Sequence, residues 1–293
     1  MQRTATLAAL LILLTACTIE ATAPPPYGGG SGRIAFDTER NGNFEIYSIS
    51  CDGTDETNLT NSRTAEFNPD WSPDGGRLAF ERSYRPFTGI CVVDADGTNA
   101  KRLTRASGND SSPDWSPDGS RILFFSERDG NHEIYVMNAD GSDQRNLTNH
   151  PADDSYPVWS PDGTHVAFVS DRDGNREIYR MHADGSGITR LTDNPATDWL
   201  PAWSPDGTRI AFVSERAGNG EIYLMDADGQ SAVQLTDNPA ADYSPTWTTD
   251  GLFIVFASQR SGASNLHLMS ADGTGVRQLT DTTDGCYSPD WKP

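Results

Sequence analysis

The feature that most constrains this chain is a repeat of fixed length. A tryptophan recurs six times at intervals of 44 residues, at Trp71, Trp115, Trp159, Trp203, Trp247 and Trp291. A glycine series beginning at Gly53 and a proline series beginning at Pro69 keep the same spacing. A period of about 40 to 50 residues is typical of supersecondary units that stack to share a core. The chain is therefore predicted to be a repeat protein.

Each repeat is predicted to contain four short β-strands. In the repeat led by Trp203, the first strand ends at that tryptophan, and Ser-Pro-Asp-Gly at 204–207 forms a tight turn. The apolar run at 209–214 predicts a second strand, and the alternating run at 221–225 predicts a third. An Asp-Gly turn and a short fourth strand follow. Four antiparallel strands repeated six times predict an all-β fold, a six-bladed β-propeller of four-stranded antiparallel blades.

The order of the strands predicts how the ring closes. The repeats begin at Arg33 with a second strand, and a lone first strand at 287–291 comes last. This strand can complete the blade begun by residues 33–62, which would hide an open sheet edge. An open solenoid is the alternative, but it would need polar capping repeats. The propeller is predicted to span 33–293.

The repeated phrase also carries a family resemblance. Across 33–293 it reads Pro-x-Trp-Ser-Pro-Asp-Gly-x-x-Ile-Ala-Phe-x-Ser-x-Arg-x-Gly-Asn-x-Glu-Ile-Tyr, which resembles the WD-like repeat of TolB-type six-bladed propellers. The resemblance implies the propeller fold. It differs from TolB itself ahead of the repeats, where a signal and a short tether are predicted in place of an α/β domain.

The first 32 residues read as an export signal and a tether. Residues 1–16 combine Arg3 with a short apolar run, Leu7–Leu14, which is too short to span a bilayer. Leu-Thr-Ala-Cys at 14–17 resembles a bacterial lipobox, which implies cleavage before Cys17 and a diacylglycerol on its thiol; an ordinary secretory signal is the alternative. Residues 17–32 form a Pro/Gly-rich tether. The protein is therefore expected to be exported and lipid-anchored to the bacterial membrane, on its periplasmic or cell-surface side.

Charge excludes two classes of partner. The chain has 22 Lys and Arg against 42 Asp and Glu, a formal net charge of −20. Such a surface repels phosphate backbones and anionic lipids, so nucleic acid is excluded and membrane contact is expected only through the lipid anchor.

Five acidic residues occupy one position of the repeat, five residues before its tryptophan: Glu66, Asp110, Asp154, Asp198 and Asp242. If the first strand is innermost, these carboxylates ring one mouth of the channel. A hard cation such as Ca²⁺ could neutralise them. Alternatively, each acid accepts hydrogen bonds from its own loop. A separate arginine series, with Arg128 and Arg172, is expected to pair with the glutamates five residues on, Glu133 and Glu177.

Aromatic residues occupy the next position of the repeat in four consecutive blades: Phe67, Trp199, Tyr243 and Tyr287. They could form a recognition surface, or they could simply pack between loops. Residues 82–89 depart from the repeat and place Tyr84, Arg85 and Phe87 in a loop on the same face. This loop is either specialised for binding or a product of drift.

Two functions are compatible with these residues. The first is a non-catalytic, monomeric binding or scaffold module that recognises a protein partner or a cell-envelope polymer through its loop face. The second is a propeller enzyme, a glycan lyase or an ester or glycoside hydrolase, which would use the channel-mouth carboxylates or a bound metal. Because no nucleophile elbow or phosphate-cradling loop is found, we favour the binding module and expect no catalytic residues.

Overall fold

The computed structural model describes residues 32–293. The predicted signal peptide, the lipidation site Cys17 and nearly all of the tether lie outside the described residues. Within the described range every regular element is a β-strand, and no helix is long and apolar enough to cross a membrane.

The strands form six four-stranded antiparallel sheets, the blades, and the strands of each blade are named from the inside of the ring outward. Blade 1 comprises β24 (Tyr287–Trp291), β1 (Arg33–Thr38), β2 (Glu45–Ser50) and β3 (Thr57–Asn58). Blade 2 comprises β4 (Glu66–Trp71), β5 (Arg77–Ser83), β6 (Thr88–Asp94) and β7 (Lys101–Arg102). Blade 3 comprises β8 (Asp110–Trp115), β9 (Arg121–Ser126), β10 (Glu133–Asn138) and β11 (Arg145–Asn146).

The other three blades repeat the same order. Blade 4 comprises β12 (Asp154–Trp159), β13 (His165–Ser170), β14 (Glu177–His182) and β15 (Thr189–Arg190). Blade 5 comprises β16 (Asp198–Trp203), β17 (Arg209–Ser214), β18 (Glu221–Asp226) and β19 (Val233–Gln234). Blade 6 comprises β20 (Asp242–Trp247), β21 (Phe253–Ser261), β22 (Ala263–Ser270) and β23 (Arg277–Gln278). We call the four strands of every blade A to D in this order.

The ring closes as the sequence predicts. Strand A of each blade contacts strand A of both neighbouring blades, so the six A strands surround a central channel. The last strand, β24, pairs antiparallel with β1, with Trp291 opposite Ile34 and Asp290 opposite Ala35. Both the six-bladed propeller and its closure by the C-terminal strand are confirmed.

The core lies in layers between neighbouring blades. One phenylalanine of strand B is fully buried in every blade: Phe36, Phe80, Phe124, Phe168, Phe212 and Phe256. The repeated tryptophan packs against the preceding blade; Trp115, for example, joins a cluster with Ile90 and Val92 of blade 2. Each blade alone would expose one apolar face, so the repeats stabilise one another.

The Ser-Pro-Asp-Gly motif forms the turn between strands A and B. In blade 5, the Ser204 hydroxyl donates to Asp206 Oδ1 at 2.6 Å and accepts the Arg209 N–H at 3.0 Å. Gly207 has a φ of +69°, a conformation that glycine adopts without steric cost. The motif therefore specifies the turn, and its recurrence reflects architecture.

Candidate functional site

The two ends of the channel differ in how the strands are connected. The D-to-A and B-to-C connections lie at the end where strand A begins, which we call the loop face. The A-to-B and C-to-D turns lie at the opposite end, the turn face. The candidate residues divide between a set at the loop face and a set inside the channel.

The five acids that open strand A are fully buried, and each forms an ion pair with an arginine of its own blade. The pairs and their N–O distances are Glu66–Arg82 (2.6 Å), Asp110–Arg128 (2.8 Å), Asp154–Arg172 (2.9 Å), Asp198–Arg216 (2.7 Å) and Asp242–Arg260 (2.6 Å). The guanidinium groups thus supply the positive charge that a cation such as Ca²⁺ could otherwise have brought. Among residues 32–293, no group of three or more His, Cys, Asp or Glu could hold a metal ion.

The prediction that the arginine series containing Arg128 and Arg172 pairs with the glutamates of strand C is wrong. Arg128 turns towards Asp110 and also bonds Ser126 Oγ at 2.8 Å. Glu133 instead accepts the Thr148 hydroxyl at 2.5 Å and the His150 N–H at 2.8 Å. The glutamate therefore holds the connection to the next blade, while the arginine neutralises the buried acid of strand A.

The central channel contains a cavity of about 370 Å³ that reaches the turns of the turn face. Every strand A carries a β-bulge near its middle, and the residue before its proline has a positive φ, between 43° and 51°. These residues are Asn68, Ser112, Tyr156, Leu200, Ser244 and Ser288. The bulge is thus common to all six blades, and the residues on both sides of the proline line the cavity.

Three adjoining blades contribute a wall of carboxyl groups, which we call the acidic wall: Asp290 of blade 1, Asp70 of blade 2 and Asp114 of blade 3. Each Oδ2 atom accepts the backbone N–H of the tryptophan in the next blade. The N–O distances are 2.7 Å from Trp71 to Asp290, 2.6 Å from Trp115 to Asp70 and 2.7 Å from Trp159 to Asp114. These bonds fix the carboxyl groups to the backbone and link the blades.

The acidic wall is electrostatically uncompensated. Burial raises the pKa of Asp114 to about 8 and that of Asp290 to about 7. Burial also raises the pKa of Asp70 well above its usual value, and repulsion from Asp290 and Asp114 adds to this effect. In the part of the chain that the structure describes, none of the three forms an ion pair. The wall therefore holds protons near neutral pH and would release them to a cation.

Two buried acids of strand B, Asp37 and Glu81, lie on the same side of the channel. Asp37 of β1 accepts the Asn68 N–H and Glu81 of β5 accepts the Ser112 N–H, both at 3.3 Å. Burial raises the pKa of Asp37 to about 7 and raises that of Glu81. Asp37 and Glu81 therefore add two buried carboxyl groups beside the three of the acidic wall.

The opposite side of the cavity is mainly apolar, and we call it the apolar wall. At the position of the three aspartates, blades 4, 5 and 6 have Val158, Ala202 and Thr246. Tyr156 and Leu200 occupy the bulge position on this side. The cavity can thus receive a group that is cationic on one side and apolar on the other.

The predicted aromatic residues at the loop face are all half-buried. Phe67 and Tyr287 both contact Phe44, with ring centroids 4.8 Å and 5.8 Å apart, and Tyr243 stacks on Tyr287 at 6.4 Å. Trp199 contacts Tyr156 at 6.3 Å. Phe44 extends the group and was missed because it replaces a polar residue at its position of the repeat. The role of these rings in recognition stays a prediction.

The loop of blade 2 presents only its tip to solvent. The Tyr84 N–H donates to the Phe87 carbonyl at 2.8 Å and closes a turn. The Tyr84 ring lies 3.7 Å from the Arg102 guanidinium and its hydroxyl 3.0 Å from Cys91 Sγ, so this residue anchors the loop. Arg85 and Phe87 are exposed, Phe87 by 38%. Any contact with a partner would involve these two side chains.

The acidic wall was missed in the sequence, although its signal is present. The position after the repeated proline carries Asp in three repeats that become neighbours only when the ring closes. Closure by β24 places Asp290 beside Asp70. The wall thus follows from combining the repeat with its closure.

Comparison with known proteins agrees with the propeller fold described above. Residues 31–199 and 193–293 match the family described as the TolB beta propeller domain. The structure of TolB from Acinetobacter baumannii superposes with a TM-score of 0.81 at 26% identity, covering 91% of this chain and 68% of that one. No curated protein matches the chain.

Two more distant structures show the fold alone. A putative TolB from Agrobacterium tumefaciens gives a TM-score of 0.73 at 24% identity, covering 89% of this chain and 92% of that one. A chain of a nidogen/laminin complex gives 0.74 at 10% identity, covering 89% and 98%.

Proposed function

The chain belongs to the TolB β-propeller family, and we propose that it is an extracytoplasmic, non-catalytic protein-binding module that takes a cationic segment of a partner into its channel. The observation that supports this proposal is the division of the cavity into an acidic wall and an apolar wall. In a segment that has a lysine or arginine next to an apolar residue, the basic side chain is complementary to the acidic wall and the apolar one to the apolar wall. Such a segment would enter from the turn face.

Binding would compensate the buried charge. A guanidinium or ammonium group beside Asp70, Asp114 and Asp290 favours their ionised forms, so their protons are released as the partner binds. An arginine can also donate two parallel hydrogen bonds to one carboxylate. The neighbouring apolar side chain would pack against Leu200 and Ala202. The affinity should therefore increase as the pH rises from about 6 to about 8.

We favour binding over catalysis because the three carboxyl groups share one environment. A hydrolase that uses two carboxyl groups needs their pKa values pushed apart, so that one acts as an acid and the other as a base. Here burial raises all three pKa values, and each group accepts a tryptophan N–H in the same way.

Export and anchoring complete the proposal. The predicted lipidation of Cys17 and the tether that follows would hold the propeller close to the membrane surface. Fifteen residues reach at most about 50 Å when fully extended. The partner would therefore be another component of the cell envelope.

Site-specific photo-crosslinking tests the proposal. A benzoylphenylalanine at Thr249, an exposed residue on the rim of the cavity, should crosslink a partner through a segment that contains Lys or Arg. The variant D70N/D114N/D290N should lose the crosslink. A surface control that removes the same charge, E39Q/D237N/D281N, should keep it. Equal crosslinking by both variants, or a crosslinked segment without a basic residue, would contradict the proposal.

A further inference from the structure

A second cavity, of about 340 Å³, lies at the loop face between blades 4 and 5. Trp199, Thr197 and Glu215 of blade 5 line it together with Asp171 and Arg176 of blade 4. Its volume is at the lower end of the range for small-molecule sites, about 300 to 1,000 Å³. We call it the Trp199 pocket. It lies at the opposite end of the ring from the turn face, so it does not depend on the function proposed for the channel.

The backbone fixes the two main residues of the pocket beside each other. The Asp198 N–H donates to the Arg176 carbonyl at 2.9 Å, which places Arg176 next to Trp199 across the boundary between the blades. The indole also contacts Tyr156 and packs against the apolar residues of blades 4 and 5. The ring is therefore a rigid wall, held from behind by the core.

The polar groups of the pocket are available to a ligand. Arg176 and Glu215 are exposed, and their side chains form no hydrogen bond or ion pair with the rest of 32–293. Asp171 accepts the Asp153 N–H through Oδ1 alone, at 3.0 Å. One planar donor and two acceptors thus surround an aromatic wall.

The blade 4–5 boundary is distinct from the other five. At the positions of Arg176 and Trp199 the other boundaries have Phe44 with Phe67, Thr88 with Ser111, His132 with Ser155, Gly220 with Tyr243 and Ser264 with Tyr287. In two of these pairs the residues contact each other: the Phe44 and Phe67 rings lie 4.8 Å apart at a tilt of 43°, and Thr88 Oγ1 lies 3.4 Å from Ser111 Oγ. The combination of an unpaired arginine with a tryptophan is therefore not required by the architecture.

We propose that the Trp199 pocket binds a pyranose unit of a neutral oligosaccharide. The C–H bonds on one face of a pyranose are weakly positive and suit the negative face of an indole ring. Sugar hydroxyls both donate and accept, so they can pair with Glu215, Asp171 and Arg176 together. An anionic ligand would face the two carboxylates, and an apolar ligand would leave all three charged groups desolvated without partners.

Titration of the full-length protein with three neutral trisaccharides tests this inference. Maltotriose, cellotriose and N,N′,N″-triacetylchitotriose are added, and binding is followed through the Trp199 indole N–H signal in a ¹H–¹⁵N NMR spectrum, identified by its loss in W199F. At least one trisaccharide should shift this signal in a saturable way. R176Q and E215Q should each weaken binding about tenfold or more, a loss worth about 1.4 kcal/mol.

A matched control separates the pocket from a general surface effect. H132Q changes the equivalent position in blade 3, which does not line the pocket, and it should bind as the wild type does. W199F, which keeps an apolar ring but loses the reporter signal, should fold and, in isothermal titration calorimetry, bind more weakly than the wild type. Failure of all three trisaccharides to shift the signal would overturn the proposal, as would equal weakening by H132Q and R176Q. Neither result would affect the crosslink expected at the channel.

Discussion

The two sides of the central channel share one backbone and differ in chemistry. All six A strands contain the same bulge and the same left-handed residue before the proline. At the position after the proline, blades 1 to 3 have aspartates and blades 4 to 6 have Val158, Ala202 and Thr246. The repeat therefore fixes where a side chain points, and single substitutions decide what the channel can bind.

A second comparison concerns two sets of acidic residues, the acids that open strand A and the acidic wall. The acids that open strand A each have an arginine partner, whereas the acidic wall accepts backbone N–H groups and, at Asp290, the Thr246 hydroxyl at 3.5 Å, with no ion pair among the described residues. An isolated buried charge is costly, and a paired one costs much less. The first set thus belongs to the architecture. The acidic wall lacks a positive charge, which a partner could supply.

Removing an arginine should have the largest effect, since it turns a compensated acid into an uncompensated one. R172M leaves Asp154 fully buried without its cation and should lower the free energy of unfolding by about 3–5 kcal/mol. Urea unfolding measures this loss. R145M, at a mainly exposed ion pair of 3.5 Å, should change stability by less than about 0.5 kcal/mol. Equal effects of the two variants would refute the distinction.

Neutralising one residue of the acidic wall should alter the pH dependence of stability. Asp114 has its pKa raised from 3.8 to about 8, so between these values the folded state holds a proton that the unfolded state has released. This contribution to stability is fully present below the unfolded pKa and is lost as the pH rises through the folded one. Relative to D114N, the wild type should therefore lose about 1.4 kcal/mol per pH unit between about pH 5 and pH 7. Parallel stability curves for the two proteins would contradict this interpretation.

Placing an aspartate in the apolar wall should reproduce the carboxyl group of the acidic wall in blade 5. In A202D the new carboxyl group occupies the position of Asp114, where it can accept the N–H of Trp247. At about pH 8, A202D should be less stable than the neutral control A202N by about 1–2 kcal/mol, because its charge is partly buried without a cationic partner. Thermal unfolding compares the two. If A202D were the more stable, the channel would not penalise a buried charge.

The smallest effect is expected at the tip of the blade 2 loop. F87A removes an exposed ring and should change the free energy of unfolding by less than about 0.5 kcal/mol. If the loop recognises a partner, F87A should instead weaken binding, which capture of the crosslinked partner can measure. A large loss of stability would show that Phe87 belongs to the core.

The fold could be read from the sequence because its signals are local and repeated. The Ser-Pro-Asp-Gly turns specify the hairpins, and the position of residues 287–291 in the repeat predicts closure. The direction of individual side chains could not be read in the same way. The bulge in β4 places Glu66 opposite Arg82 and Trp71 opposite Leu78. Glu66 and Trp71 therefore lie on the same face of blade 2. Simple alternation would place them on opposite faces.

The candidate site was predicted only in part for the same reason. The five acids that open strand A were identified, but their arginine partners were not, because ion pairing depends on that bulge. The acidic wall follows one residue after the repeated proline. The wall forms only when the closed ring brings Asp290, Asp70 and Asp114 together. Sequence spacing alone does not show that these carboxyl groups are removed from solvent.

The most direct test of an uncompensated acidic wall is an NMR titration of the aspartate side-chain carboxyl carbons, with signals assigned by D114N and D290N. We expect Asp114 to titrate near pH 8 and Asp290 near pH 7, and addition of the crosslinked partner to lower both midpoints. Titration of both groups near the ordinary aspartate value of 3.8, with no change on addition of the partner, would contradict an uncompensated acidic wall.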